Sequence, residues 1–211
     1  MPYTRRVVRP FAQPLCFGGS FNPPHFGHLV VARAAAEQAG YHQVRIMVAG
    51  IPPHKLSDHE VASAADRVAM CRLATAGDPL FEVDDRETLR KGPSYTIETA
   101  GELQNLPDFA GRPVPWLIGA DLLPGLMHWH QPQALLAGDV VRFVIVRRGG
   151  ECIDWSGLPD ELGALSASVV EVPRIDISAT EIRARIRAGR DVRYLVPETV
   201  RAYIEQRGLY R

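Results

Sequence analysis

A loop rich in glycine and proline, residues 18–28, sets the strongest limit on what this chain can fold into. It lies between an apolar segment at residues 15–17, which predicts a strand, and a segment of helical periodicity that predicts a helix over residues 28–39. Two adjacent glycines let the backbone approach a ligand closely, and a helix start presents unpaired N–H groups and a positive dipole end. Such a loop is typical of phosphate binding at the carboxyl edge of an α/β sheet. The segment is Gly18-Gly19-Ser20-Phe21-Asn22-Pro23-Pro24-His25-Phe26-Gly27-His28.

The rest of the chain alternates short apolar runs with helix-period stretches, which is the pattern of a parallel sheet with crossover helices. Strands are predicted at residues 15–17, 44–49, 81–83, 116–118, 140–146 and 169–172. Helices are predicted at 28–39 and 96–106, around Val61, Val68, Met70 and Leu73, from the S-x-x-E capping box at Ser178 to Gly189, and from Pro197 to Gly208. We predict a Rossmann-like, doubly wound α/β fold with a mainly parallel sheet and a small helical C-terminal region. Residues 1–14 are interpreted as a short leader and 15–211 as one domain, with 175–211 as its helical C-terminal part.

Charge and cysteine usage argue against several classes of protein. Lys and Arg together number 24, as do Asp and Glu, and the resulting net charge of zero argues against a general nucleic-acid binder. Cys16, Cys71 and Cys152 are too few and too widely spaced for a disulfide framework or a zinc cluster. No apolar run is long enough to cross a membrane, and the basic start lacks the features of a secretion signal. We therefore expect a cytoplasmic protein with no nucleic-acid or membrane partner.

His25 and His28 are three residues apart at the predicted helix start, so they can share one face. Two imidazoles in that place could donate hydrogen bonds to phosphate oxygens. They could also be surface histidines of a tight turn, or a zinc pair. Zinc would need a third ligand, and no nearby Cys, Asp or Glu is an obvious one, so no protein-bound metal is predicted.

The loop resembles the motif G-G-x-F-D-P-x-H-x-G-H of the adenylyltransferase and cytidylyltransferase superfamily. Further segments follow it: Pro52-Pro53-His54-Lys55, Pro93-Ser94-Tyr95-Thr96-Ile97-Glu98-Thr99, Ile118-Gly119-Ala120-Asp121 with Trp129, Ile177-Ser178-Ala179-Thr180-Glu181-Ile182-Arg183, and Tyr194-Leu195-Val196-Pro197. In this order they are similar to the bacterial nicotinate-mononucleotide adenylyltransferases of NAD biosynthesis, from about residue 15 to the C-terminus. Two residues depart from that pattern: Asn22 stands where Asp is commoner, and Ala179 where a second Ser is usual.

The resemblance implies a reaction of ATP with nicotinate mononucleotide that gives deamido-NAD and pyrophosphate. Mg²⁺ would be carried on the ATP phosphates rather than in a protein cage. The implied catalytic residues are His25, His28, Lys55 and Arg183. The implied ATP-binding residues are Gly18, Gly19, Ser20, Phe21, Gly27, His28, Gly119, Asp121, Ile177, Ser178, Thr180 and Arg183. The implied mononucleotide-binding residues are Asn22, His54, Lys55, Ser94, Tyr95, Thr96 and Trp129.

Taken singly, these residues have simpler interpretations, such as solvated side chains for Lys55 and Arg183 and a core residue for Trp129. Their joint occurrence at strand ends and helix starts favours the transferase. The alternatives are another small transferase of the superfamily, such as pantetheine-phosphate adenylyltransferase, and a nucleotide-binding regulator without turnover. A fragment of a class I aminoacyl-tRNA synthetase is a further alternative, which the neutral charge disfavours. The sequence leaves a homo-oligomer open.

The segment around Ser94 predicts a preference for the acid acceptor over its amide. A helix start favours an anion, Ser94 and Thr96 can add hydroxyl donors, and Trp129 can stack on the pyridine ring. No Asp or Glu lies between Gly92 and Ile97, although Glu98 follows closely.

Overall fold

A computed structural model describes residues 13–51 and 61–211 of the chain. Within them lies a six-stranded sheet whose neighbouring strands all pair in parallel. The strands are β1 Leu15–Gly19, β2 Val44–Val48, β3 Phe81–Asp84, β4 Val114–Gly119, β5 Val141–Arg148 and β6 Val169–Val172. Their order is β3-β2-β1-β4-β5-β6, the order of the doubly wound Rossmann arrangement. The predicted fold class is confirmed.

The α-helices connect these strands and close the chain. They are α1 Phe26–Ala39, α2 Ala64–Thr75, α3 Arg86–Leu89, α4 Thr96–Gln104, α5 Pro132–Leu136, α6 Ala179–Arg187 and α7 Glu198–Arg207. Shorter 3-10 helices cover Ala120–His128, Trp155–Gly157 and Asp160–Ser168. The three 3-10 helices and the short helices α3 and α5 were not predicted. Elements this short or this irregular show no apolar periodicity in the sequence.

Two predicted helix boundaries were wrong for identifiable reasons. Helix α1 begins at Phe26 rather than at residue 28, since His25 is the last residue with extended backbone. Val61 lies before α2, because Ser63 caps that helix by accepting a hydrogen bond from the Asp66 N–H. The predicted helix ends agree with the structure where glycine takes a left-handed conformation, as Gly40 and Gly208 do at the ends of α1 and α7.

Both faces of the sheet are covered, so the strands read as continuous apolar runs. One face packs against α4 and the segment around Leu123 and Leu126. The other packs against α1, whose Ala32, Ala35 and Ala36 are fully buried. A third apolar cluster joins the C-terminal helices to α2, and its buried members are Met70, Ile182, Val192, Val196, Val200 and Ile204.

The predicted leader lies mostly outside the described residues. Gln13, near its end, is buried and donates a hydrogen bond from Nε2 to the Pro113 carbonyl at 3.0 Å. In the described part of the chain, no helix combines the length and the apolar character that a membrane span requires.

Candidate active site

The switch point of the sheet lies between β1 and β4, where the strand order runs outwards in both directions. Ligands bind at the carboxyl ends of the strands at such a point. A cavity of about 350 Å³ opens there, within the size range of small-molecule sites. Its lining includes predicted residues of both substrate sites: Gly18, Gly19, Ser20, Gly119, Ser94, Tyr95, Thr96 and Trp129.

Glycines at the strand ends make room for neighbouring side chains. A Cβ on Gly18 would lie 2.9 Å from Cζ2 of Trp116, on the adjacent strand β4. A Cβ on Gly119 would collide with the carboxylate of Asp121. Position 18 therefore requires glycine because the Trp116 ring is buried, whereas the exposed Asp121 side chain could move away from a Cβ at position 119.

The two histidines form one compact unit at the start of α1. Their rings stack with centroids 3.6 Å apart, and the His25 N–H donates to Nδ1 of His28 at 3.2 Å. Phe21, which has a positive φ of 46°, packs its buried ring edge-on against His28. Because Nδ1 of His28 accepts a hydrogen bond, the proton of the neutral ring lies on Nε2. His28 is thus oriented as a hydrogen-bond donor through Nε2.

Burial keeps both rings neutral at physiological pH. It lowers the pKa of His25 to about 4, and the positive charge of Arg148 adds to this effect. The pKa of His28 is held well below its usual value, first by burial, then by repulsion from His25 when both rings are protonated, and then by the charge of Arg148. Neutral imidazoles at a phosphate site act as donors of hydrogen bonds rather than as cations.

Internal hydrogen bonds hold the loop around Asn22 in place. The Asn22 side chain is 1% exposed, and its Oδ1 accepts from the Ala62 N–H at 3.0 Å and from the Tyr210 hydroxyl at 2.8 Å. Nη1 of the buried Arg183 donates to the Asn22 carbonyl at 3.0 Å. The Asn22 side-chain oxygen thus joins the loop to the C-terminus, and the predicted contact of Asn22 with the mononucleotide stays a prediction. For Arg183 a phosphate contact stays a prediction beside this structural bond.

The start of α6 lies beside the start of α1. The Ile177 carbonyl would be 3.4 Å from a Cβ on Gly27, so the two predicted phosphate-binding segments meet there. Ser178 caps α6 by accepting from the Glu181 N–H at 3.1 Å, as the capping box predicted. Thr180 accepts a long hydrogen bond of 3.5 Å from Nη2 of Arg183. The departure at Ala179 leaves this cap intact.

The far side of the cavity is formed by the start of α4 and the segment that carries Trp129. Ser94 Oγ accepts from the Gly50 N–H at 3.0 Å, and the Ser94 N–H donates to the Ile51 carbonyl at 3.1 Å. Tyr95 stacks on His130 with centroids 4.2 Å apart. Trp129 is half-buried and meets Phe143 edge-on at 6.4 Å.

Sequence reasoning missed several residues at this site. Glu87 lines the cavity, and its carboxylate accepts from the Thr99 hydroxyl at 2.7 Å. Arg148 ends β5 as an exposed cation whose charge reaches both histidines. Arg148 could have been identified from the sequence, because it closely follows the clearest predicted strand. No sequence pattern indicated Glu87, because α3 has only four residues.

His54 and Lys55, with Pro52 and Pro53, lie outside the described residues, so their predicted roles stay predictions. In the described ranges no group of three or more His, Cys, Asp or Glu side chains is placed to hold a metal ion.

Comparison with known proteins places these observations in a family. The family model described as cytidylyltransferase-like matches residues 16–185. A protein of Salinibacter ruber named as a probable nicotinate-nucleotide adenylyltransferase is 41% identical over 198 residues, which cover 92% of this chain and 96% of that protein. One of Geobacillus thermodenitrificans with the same name is 40% identical over 195 residues, which cover 92% and 84%. The solved Plasmodium falciparum nicotinic acid mononucleotide adenylyltransferase complexed with NaAD superposes with a TM-score of 0.73 at 17% identity, over 94% of this chain and 97% of that one, and shares its fold.

Proposed function

The chain belongs to the cytidylyltransferase-like family and, within it, to the nicotinate-nucleotide adenylyltransferases, and on that premise we propose that it transfers the adenylyl group of ATP to nicotinate mononucleotide. The observation that carries the proposal is one cavity at the switch point that joins the glycine loop to residues 94–96 and Trp129. Such a cavity has one wall suited to phosphates and another suited to a flat, anionic ring. The products are deamido-NAD and pyrophosphate, in NAD biosynthesis.

The reaction makes one bond to phosphorus and breaks another. A phosphate oxygen of the mononucleotide attacks the α-phosphorus of ATP, and the bond from that phosphorus to the β-bridging oxygen breaks as pyrophosphate leaves. The acceptor phosphate has a second pKa of about 6, so it is already largely ionised at neutral pH. The protein therefore needs to align the two groups in line and to stabilise charge on the leaving oxygens.

The histidine unit is suited to that second task. His28 directs Nε2–H away from the hydrogen bond that fixes its ring, and its contact with Phe21 limits rotation. A donor held in this way before the substrate arrives stabilises developing charge without reorganisation. We assign His28 and His25 to the α- and β-phosphates, and the Ser178 helix start to the β/γ end.

Positive charge completes the phosphate site. Mg²⁺ carried on the ATP phosphates would supply positive charge that stabilises the leaving pyrophosphate. Lys55 and Arg183 are assigned to the phosphate chain, and Arg148 lies close enough to the histidines for its charge to act on both. A cytoplasmic place for the reaction stays a prediction.

The acceptor site favours the acid over the amide. Helix α4 begins at Thr96 with its dipole directed at the cavity, and Ser94 and Thr96 lie in the lining. Two acidic residues lie near this wall: Glu98 is 4.0 Å from Arg90, and Glu87, which lines the cavity, accepts a hydrogen bond from the Thr99 hydroxyl. Donors left unmatched by an amide NH₂ cost about 1–3 kcal/mol each. Two of them correspond to discrimination on the order of 10²-fold or more.

A pyrophosphate-release assay with ATP, Mg²⁺ and a panel of acceptor phosphates tests the proposal. Nicotinate mononucleotide, its amide and pantetheine phosphate with ATP, and choline phosphate with CTP in place of ATP, distinguish this transferase from its superfamily rivals. We expect kcat/KM to be highest for the acid mononucleotide, on the order of 10²-fold above the amide. Equal values for acid and amide would refute the acid-tuned site but not adenylyl transfer, whereas no release with either mononucleotide would refute the proposed function.

A further inference from the structure

Among the described residues Arg67 is the largest fully buried side chain, and two of the residues whose carbonyls it contacts, Ser20 and Ala49, line the cavity. Arg67 belongs to α2 and is 1% exposed. Its guanidinium makes four hydrogen bonds, all to backbone carbonyls: Nε to Ala62 at 3.1 Å, Nη1 to Ser20 at 2.9 Å and to Ala49 at 2.6 Å, and Nη2 to Gly50 at 2.8 Å. A cation held in this way joins the loops that follow β1 and β2.

Each of those loops leads to a different part of the site. Ser20 belongs to the glycine loop that ends in the histidine unit. Gly50 gives its N–H to Ser94 Oγ at the start of α4, where we place the acceptor ring. The Arg67 side chain therefore links the glycine loop, on the phosphate wall, to Gly50, which in turn contacts the acceptor wall through Ser94.

Gly50 leaves little room for the second loop to move. A Cβ at this position would collide with the Glu87 carbonyl, so the loop is pressed against α3 on one side. Arg67 holds its carbonyls on the other side, and Ile51 bonds the Ser94 N–H. The position of residues 49–51 is thus fixed by contacts from three directions.

We infer that Arg67 is a positioning residue that sets the distance between the ATP and acceptor sites. The inference rests on the proposed function, because it assumes that the two walls bind the two reactants. Each wall can hold its own ligand when the spacing is wrong, but in-line attack requires the reacting atoms to lie about 3–3.5 Å apart. Loss of the spacing should therefore affect turnover and any ligand that spans both walls, and should affect each separate ligand little.

Arg67→Lys is the main test, since lysine keeps the charge but lacks the planar fork that reaches carbonyls on two loops. A misplacement of about 1 Å costs on the order of 10²-fold in rate, so we expect kcat to fall about 10²-fold while the KM of each substrate changes by less than about threefold. By calorimetry, the Kd of deamido-NAD, which spans both walls, should rise at least tenfold, while the Kd values of ATP and nicotinate mononucleotide stay near those of the wild type. Gly50→Ala displaces the same residues through their contact with the Glu87 carbonyl. It should therefore also lower kcat and raise the Kd of deamido-NAD, while the KM of each substrate changes little.

Met70→Ala is the matched control, because Met70 is a fully buried residue of α2 that packs against the C-terminal helices. It should lower Tm while kcat, measured well below Tm, stays within about threefold of the wild type. The inference is overturned if folded Arg67→Lys keeps wild-type kcat and dinucleotide affinity, or if Met70→Ala loses kcat as severely at an equal loss of Tm. Failure of Arg67→Lys to fold would assign the residue to the fold alone and would also overturn it. An inactive wild type would instead refute the proposed function.

Discussion

Acid should destabilise this protein through His25, by an amount that follows from its burial. The native pKa is lowered to about 4, against an ordinary value of 6.5, so between these values the unfolded chain binds a proton that the native state does not. The stabilisation is fully present above about pH 6.5 and is lost as the pH falls through the native pKa. At 1.36 kcal/mol per pKa unit, the whole effect is about 3 kcal/mol, of which about 2 kcal/mol disappears between pH 7 and pH 5.

The assay is urea unfolding at pH 7 and pH 5, followed by circular dichroism, for the wild type and for His25→Gln. The wild type should lose about 2 kcal/mol more free energy of unfolding across this interval than the variant, whose side chain does not titrate. His42→Gln is the control, because His42 is exposed and lies outside the loop; it should keep the wild-type difference. A gap below about 0.5 kcal/mol between the wild type and His25→Gln would refute the reasoning, as would an NMR titration that places the His25 pKa near 6.5.

Three further substitutions test individual contacts. His28→Ala should fold normally and lose on the order of 10²–10³ in kcat, the usual cost of one transition-state donor; a folded variant with near wild-type kcat would remove His28 from the mechanism. Arg183→Ala should raise the KM for ATP in steady-state kinetics and also lower Tm, since the Asn22 carbonyl loses its 3.0 Å donor; if KM, kcat and Tm are all unchanged, neither role holds. Tyr210→Phe should lower the free energy of unfolding by about 1 kcal/mol in a urea titration, because Asn22 Oδ1 loses the Tyr210 hydroxyl as a donor; an unchanged value would show that this hydrogen bond adds nothing.

Features that depend on neighbouring residues were predictable from the sequence. The glycine loop, the six strands and the Ser178 cap were identified because each is encoded within one short segment, by periodicity or by a cap and its partner a few residues away. The placement of the cavity followed as well, since parallel strands bring their carboxyl ends to one edge. The resemblance to the adenylyltransferases, rather than the strand pattern, implied that Trp129 and the helix start at Ser94 share a site, and both line the cavity.

Interactions between distant segments were decided only by the tertiary structure. The buried contact of Asn22 with Tyr210 could not be predicted from the motif, because the two residues are 188 positions apart in the sequence. In the sequence nothing distinguishes Arg67 from other helix arginines, whereas in the fold its guanidinium donates to four backbone carbonyls. The neutral state of the histidines has the same origin, because burial is a property of the assembled fold. Local sequence determines which groups are present at the sheet edge, whereas packing over long separations determines which of them face the ligand, which face each other, and which carry charge.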